Sequence, residues 1–141
     1  MEDDYWAKYE QSPQWLKIPA IAELVMKSLF FNHTRKYHLI CALIMSNHVH
    51  IVIKPLRASH DLPYSLAVIM KDHKSYTAHE ANKILARTGT FWFHENYDHY
   101  IRDEEELYRI VQYILNNPVK AGLVNHYEAW KHYWTNPEYA G

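Results

Sequence analysis

Two apolar runs separated by two polar residues constrain this chain more than anything else in it. Tyr37 to Met45 is almost wholly apolar, and residues 47–54 follow it across Ser46-Asn47. Runs of this length and content, broken by a short turn, read as neighbouring strands of a hairpin. Both are apolar on both faces apart from their histidines, so the sheet they begin must be covered by helices. Within the second run, His48 and His50 flank Val49. Side chains in a strand alternate faces, so the two imidazoles project together while Val49, Ile51 and Ile53 project to the other side. Two imidazoles on a rigid strand are half of a metal site. With 11 histidines in 141 residues, chance alone supplies roughly one His-x-His, so the pair has meaning only if other residues call for it.

The rest of the chain supplies the covering elements. Residues 4–12 fit a short helix, with Ser12-Pro13 as a break. Pro19 suits the first turn of a helix through about Phe30, with Ile21, Leu24, Val25 and Leu29 at helical spacing. Asp61 and Pro63 signal a helix from about Tyr64 to Leu85, broken by Thr88-Gly89-Thr90. The aromatic stretch Phe91 to Arg102 lacks a helical period and is read as a loop leading into a strand. It is either core and covering lid or a stacking surface for unpaired bases. Asp103 and Glu106, at capping-box spacing, open a helix that Asn117-Pro118 closes. Gly122 ends a short turn, and Trp130, Tyr133 and Trp134 in the tail are expected to pack back on the domain. No repeat or linker divides the chain. The expectation is one α+β domain over 1–141, with a variable segment at 1–18 and a C-terminal tail at 125–141.

Charge and cysteine usage narrow the partners. The net charge is −1, but residues 31–87 hold eight Lys or Arg against three acids, or +5, and seven of the histidines. Residues 1–30 and 88–141 are acidic, at −2 and −4. A basic middle around the histidine pair is compatible with a phosphate-facing surface, and equally with ordinary solvated charge. The lone Cys41 allows no internal disulfide and fits a reducing compartment. The acidic start, Met1-Glu2-Asp3-Asp4, lacks a signal peptide's features, and no apolar run is long enough to span a bilayer. A cytoplasmic protein without a membrane partner is expected.

The helix from Asp103 to Asn117 places Leu107, Ile110, Val111, Ile114 and Leu115 in one stripe at about 100° per residue, the core face. Tyr113 falls outside that stripe, and Asn117 lies one turn further on along the same side. Alone, these are an exposed tyrosine and a helix-ending asparagine. Beside a histidine pair they gain a use. A tyrosyl hydroxyl can form a covalent phosphodiester intermediate, and a divalent cation can polarise a scissile phosphate. Two neutral imidazoles with an amide oxygen as third ligand suit Mn²⁺ and tolerate Mg²⁺. Nothing here resembles a closed structural zinc site, since no second cysteine exists.

In order and spacing, Ile44-Met45-Ser46-Asn47-His48-Val49-His50-Ile51-Val52, then Phe91-Trp92, then Tyr100-Ile101-Arg102-Asp103, then Tyr113-Ile114-Leu115-Asn116-Asn117-Pro118-Val119-Lys120-Ala121-Gly122-Leu123-Val124 resemble the single-tyrosine HUH transposases. The nearest branch is the REP-associated tyrosine transposases, and the similarity runs over about residues 19–125. The resemblance implies a ferredoxin-like antiparallel sheet with helices packed on it. It also implies cleavage of single-stranded DNA beside a hairpin, through a 5′-phosphotyrosine intermediate and a free 3′-hydroxyl. On this carry-over His48 and His50 are metal ligands, Tyr113 is the nucleophile and Asn117 the third ligand. Lys71, Lys74 and Arg102 are candidate contacts to the DNA backbone. Ser46 stands where the family usually has proline. Residues 1–18 read as helical and polar where the family has a first, central strand, so the sheet is expected to lack that strand. Relatives pair the tyrosine with histidines of the same chain or of a second copy, so a homodimer is among the expected assemblies. The alternative is an inactive or domesticated remnant that binds hairpin DNA without cutting it. A hydrolase using the histidines on a small substrate ranks last, since no general base stands at telling spacing.

Overall fold

The computed structural model describes residues 13–57, 62–93, 97–100 and 104–139. A 3₁₀ turn at Trp15–Lys17 leads into helix α1, Pro19–Phe31. Pro19 sits in the first helical turn, where its missing N–H costs nothing. Strands β1 (Tyr37–Ile44) and β2 (Val49–Pro55) form the expected hairpin. Their register pairs Ile44 with Val49 and Leu43 with His50. The turn is closed by Met45 N–H donating to the His48 carbonyl at 2.8 Å. Helix α2 spans Leu66–Ile84, and its cap is Ser65, whose Oγ accepts from Val68 N at 3.4 Å. The expected start at Tyr64 is instead spent on the sheet side, where Tyr64 N–H donates to the Leu56 carbonyl. Asp61 and residues 4–12 lie outside the described residues.

Strand β3 (Tyr97–Tyr100), helix α3 (Glu104–Leu115), the one-turn helix α4 (Asn117–Lys120) and strand β4 (Tyr133–Thr135) complete the elements. The sheet order is β3-β2-β1-β4. β1 is antiparallel to both of its neighbours, β2 and β4, whereas β3 runs parallel to β2. The parallel pair corrects the expectation of a wholly antiparallel sheet. It has a simple cause: the chain returns through α2, and a helical crossover delivers a parallel strand. β2 and β3 are direct hydrogen-bonded neighbours, with Val49 opposite Tyr97 and Val52 opposite Tyr100. Among the described residues no strand element precedes β1.

Both faces of the sheet are covered, as the two-sided apolarity of β1 and β2 requires. On one face Leu39, Ala42, Ile44, Val49, Ile51 and Ile53 pack against Ile21, Val25 and Leu29 of α1 and Ile69, Met70 and Ala81 of α2. On the other, Ile40, Cys41, Leu43, Met45 and Val52 pack against Leu107, Ile114 and Leu115 of α3. A register shift between Leu39 and Cys41 puts Ile40 and Cys41 in the same core, as a β-bulge does.

The tail packs back as expected, and does more. β4 adds an edge strand to β1, and the Trp130 indole donates to the Ile44 carbonyl at 2.9 Å. Asn136, buried, serves the bulge: its backbone N–H donates to Ile40 O and its Nδ2 to Leu39 O, at 2.9 and 3.0 Å. No described helix is long and apolar enough to cross a membrane.

Candidate metal and nucleophile site

His50 stands where the alternation of β2 puts it, on the face shared with Val52, which packs against α3. β2 begins at Val49 and not at the expected residue 47, so His48 precedes the strand by one residue, its ring beside that of His50. Both are buried, at 1% and 2% exposure. Their ring centroids are 4.6 Å apart, edge to face at 87°. The Asn47 amide oxygen lies 3.0 Å from His48 Nδ1 and fixes that ring's orientation. Burial pushes the His50 imidazole down to about 4, so at neutral pH it is uncharged and its nitrogen lone pair is available to a cation.

Among the described residues no group of three His, Cys, Asp or Glu side chains is arranged to hold a metal. A metal on the histidine pair therefore needs an amide, water or phosphate oxygen to complete its shell. Asn117 fits that need chemically. It is 5% exposed, and its Nδ2 donates to the carbonyls of Ile114 and Tyr113 at 3.0 and 3.3 Å. With the nitrogen end held by helix carbonyls, its oxygen is the end it can offer. Asn116 N–H still donates to the Gln112 carbonyl, so the helical path carries on towards Pro118 in the first turn of α4. At about 100° per residue Asn117 falls about 40° nearer the core stripe than Tyr113.

Tyr113 is placed differently from Asn117, although the wheel set them on one edge. Its side chain is 56% exposed, while Asn117 is buried. Tyr113 lines a surface pocket of about 360 Å³ with Arg109, Gln112, Asn116, Lys120 and Tyr127. Neither histidine lines that pocket. His48, His50 and Asn117 are each buried, whereas the Tyr113 phenol is exposed and lines a pocket on the outer side of α3. The amide of Asn47 and the pocket residues around Tyr113 were missed in the sequence. The pocket residues were visible there as a polar stripe at positions 109, 112, 113, 116 and 120.

The expected backbone contacts fall elsewhere. Lys71 is exposed and Lys74 half-buried on α2, the layer on the opposite face of the sheet. Desolvation lowers the Lys74 ammonium pKa. A strand held at Tyr113 would have to wrap the sheet to reach either. Arg102 lies outside the described residues. In the aromatic stretch, Phe91 is core and stacks on Trp15 at 5.1 Å. Trp92 donates to Thr77 Oγ1 at 2.9 Å. Of Phe91, Trp92 and Phe93, only Phe93 is exposed, so these rings serve packing more than base stacking. No family model matches the chain, and no curated protein or solved structure is significantly similar to it.

Proposed function

We propose that the protein is a metal-dependent single-stranded DNA endonuclease and strand transferase of the single-tyrosine HUH type, built on a ferredoxin-like arrangement. The observation that carries the reading is positional. The histidine pair is buried, β2 packs through Val52 with Leu107, Ile114 and Leu115 of α3, and Tyr113 and Asn117 lie on α3 and the turn that follows it. The resemblance assigns the chemistry to those four residues. His48, His50 and the Asn117 oxygen would hold Mg²⁺ or Mn²⁺, which when bound draws negative charge off the scissile phosphate.

The chain's own residues do the rest. The exposed Tyr113 hydroxyl attacks phosphorus, a new tyrosyl oxygen–phosphorus bond forms, and the bond from phosphorus to the 3′-oxygen breaks. The phenolic proton passes to solvent, and the departing oxygen becomes a 3′-hydroxyl. Attack by a 3′-hydroxyl on the phosphotyrosine reverses these bonds and joins strands without an external energy source. The substrate is hairpin-flanked single-stranded DNA, met in the reducing interior that the lone Cys41 fits.

A second reading, a remnant that binds hairpin DNA without cutting, is favoured by one observation: the pocket that holds Tyr113 is lined by neither histidine. A homodimer, with the tyrosine of one copy serving the histidines of the other, would reconcile that placement with cleavage. Labelled hairpin oligonucleotides incubated with the purified protein and Mn²⁺ separate the readings on a denaturing gel. Cleavage predicts a covalent adduct that chelator prevents and Tyr113→Phe abolishes. Binding across many hairpins with no adduct would establish the remnant.

A further inference from the structure

The pocket around Tyr113 has a composition that its candidate role as nucleophile does not require. Arg109, Gln112, Tyr113, Asn116 and Lys120 recur at i, i+3, i+4, i+7 and i+11 along α3 and α4, and Tyr127 closes the far wall. This spacing is one stripe of a helix, the face turned away from the core. Among the described residues two cations, two amides and two phenols line the space, and no carboxylate is among them. The acids of α3, Glu104 to Glu106, sit in its first turn. The Lys120 ammonium lies 5.5 Å from the centroid of the Tyr113 ring, within the range of a cation–π contact. The pocket's volume of about 360 Å³ is near the lower bound for small-ligand sites.

We propose that Arg109 and Lys120 form a cradle for backbone phosphates of the single strand, one on each side of Tyr113, and so set which phosphate lies at the phenol. The assignment rests on the reading of Tyr113 as the nucleophile. Arg109 supplies a planar fork that matches two phosphate oxygens, and Lys120 a compact point charge. Gln112 and Asn116 add amide donors between them. Both are positioning residues: they hold the strand and exchange no proton or bond with it. Neither belongs to the buried core, so removing their charge leaves the fold's packing intact.

The test is a salt titration of binding to a fluorescent single-stranded oligonucleotide in chelator, where no cutting occurs. Each phosphate contact on a single strand contributes a slope of about −0.7 in log affinity against log salt. At 0.1 M salt one such contact is worth about fivefold relative to 1 M. Arg109→Gln and Lys120→Gln should each weaken binding about fivefold and flatten the slope by about 0.7, while Tyr113→Phe retains the parent slope. Lys17→Gln, which removes one charge far from the pocket, should change neither quantity beyond error. Unchanged slopes in both pocket variants, or no salt-dependent binding by the parent protein, would overturn the cradle. The outcomes separate from those of the cleavage assay. Flattened slopes without any covalent adduct would keep the cradle and remove the nucleophile; an adduct with unchanged slopes would do the reverse.

Discussion

Mild acid should destabilise this protein through a histidine remote from the candidate site, and the size of the effect follows from where that histidine lies. His73, on α2, is 6% exposed and faces α1, with its Nδ1 2.9 Å from Ser28 Oγ. Burial, with a smaller contribution from the neighbouring Lys74 ammonium, pulls its pKa from 6.5 to about 3. Below pH 6.5 the unfolded chain binds a proton that the native chain refuses until about pH 3. Stability is therefore fully present above the unfolded value and lost as pH falls through that window, at about 1.4 kcal/mol per pH unit. Urea unfolding followed by tryptophan fluorescence at pH 7.5 and 5.5 reads it directly. His73→Gln retains a polar partner for Ser28 and titrates nothing. Its loss of stability between the two pH values should be smaller than the parent's by about 1.4 kcal/mol, a midpoint difference of roughly 0.5–1.4 M urea at an ordinary urea slope. The other histidines act alike in both proteins and cancel. Equal acid losses in parent and variant would refute a neutral buried His73.

Further perturbations test the two faces of the sheet and the site. Ile114, fully buried between α3 and the strands, should cost about 2–5 kcal/mol as Ile114→Ala, measured by thermal or urea unfolding. Asn136→Ala strips the bulge carbonyl of Leu39 of its donor and should cost about 1–3 kcal/mol, with faster amide exchange in β4 than in β2. Thr77 accepts from the Trp92 indole and donates to the His73 carbonyl at 2.8 Å. Thr77→Val and Trp92→Phe should therefore be non-additive, with a coupling of about 0.5–1.5 kcal/mol in a double-mutant cycle. In calorimetric titration, Mn²⁺ should bind the parent protein, and His50→Ala should abolish the binding heat without unfolding the chain.

What the sequence made legible was local. The Pro19 helix start, the hairpin across Ser46-Asn47 and the side-by-side placement of His48 and His50 depend on backbone periods and turn chemistry within a few residues, and each stands in the structure. What it hid was long-range. β4 is three residues of a tail that become a strand only because Cys41 to Leu43 offer an unpaired edge. The parallel entry of β3 depends on where the crossover lands. The choice of sheet face for α2, which takes Lys71 and Lys74 away from the candidate site, is written in no local pattern. The separation of Asn117 from Tyr113 is a matter of degree that a one-edge reading overlooks: at about 100° per residue Asn117 lies about 40° nearer the core stripe than Tyr113, enough to bury one and expose the other.

Under the proposed function one tyrosine of 12, Tyr113, becomes bonded to DNA. Protein incubated with a hairpin-flanked single strand and Mn²⁺, then digested with nuclease and protease, can be read by tandem mass spectrometry. A 5′-phosphoryl nucleotide remnant is expected on the peptide containing Tyr113, and none in the His48→Ala, His50→Ala and chelator-treated samples. A remnant on any other tyrosine, or on Tyr113 regardless of the histidines, would contradict the proposed function.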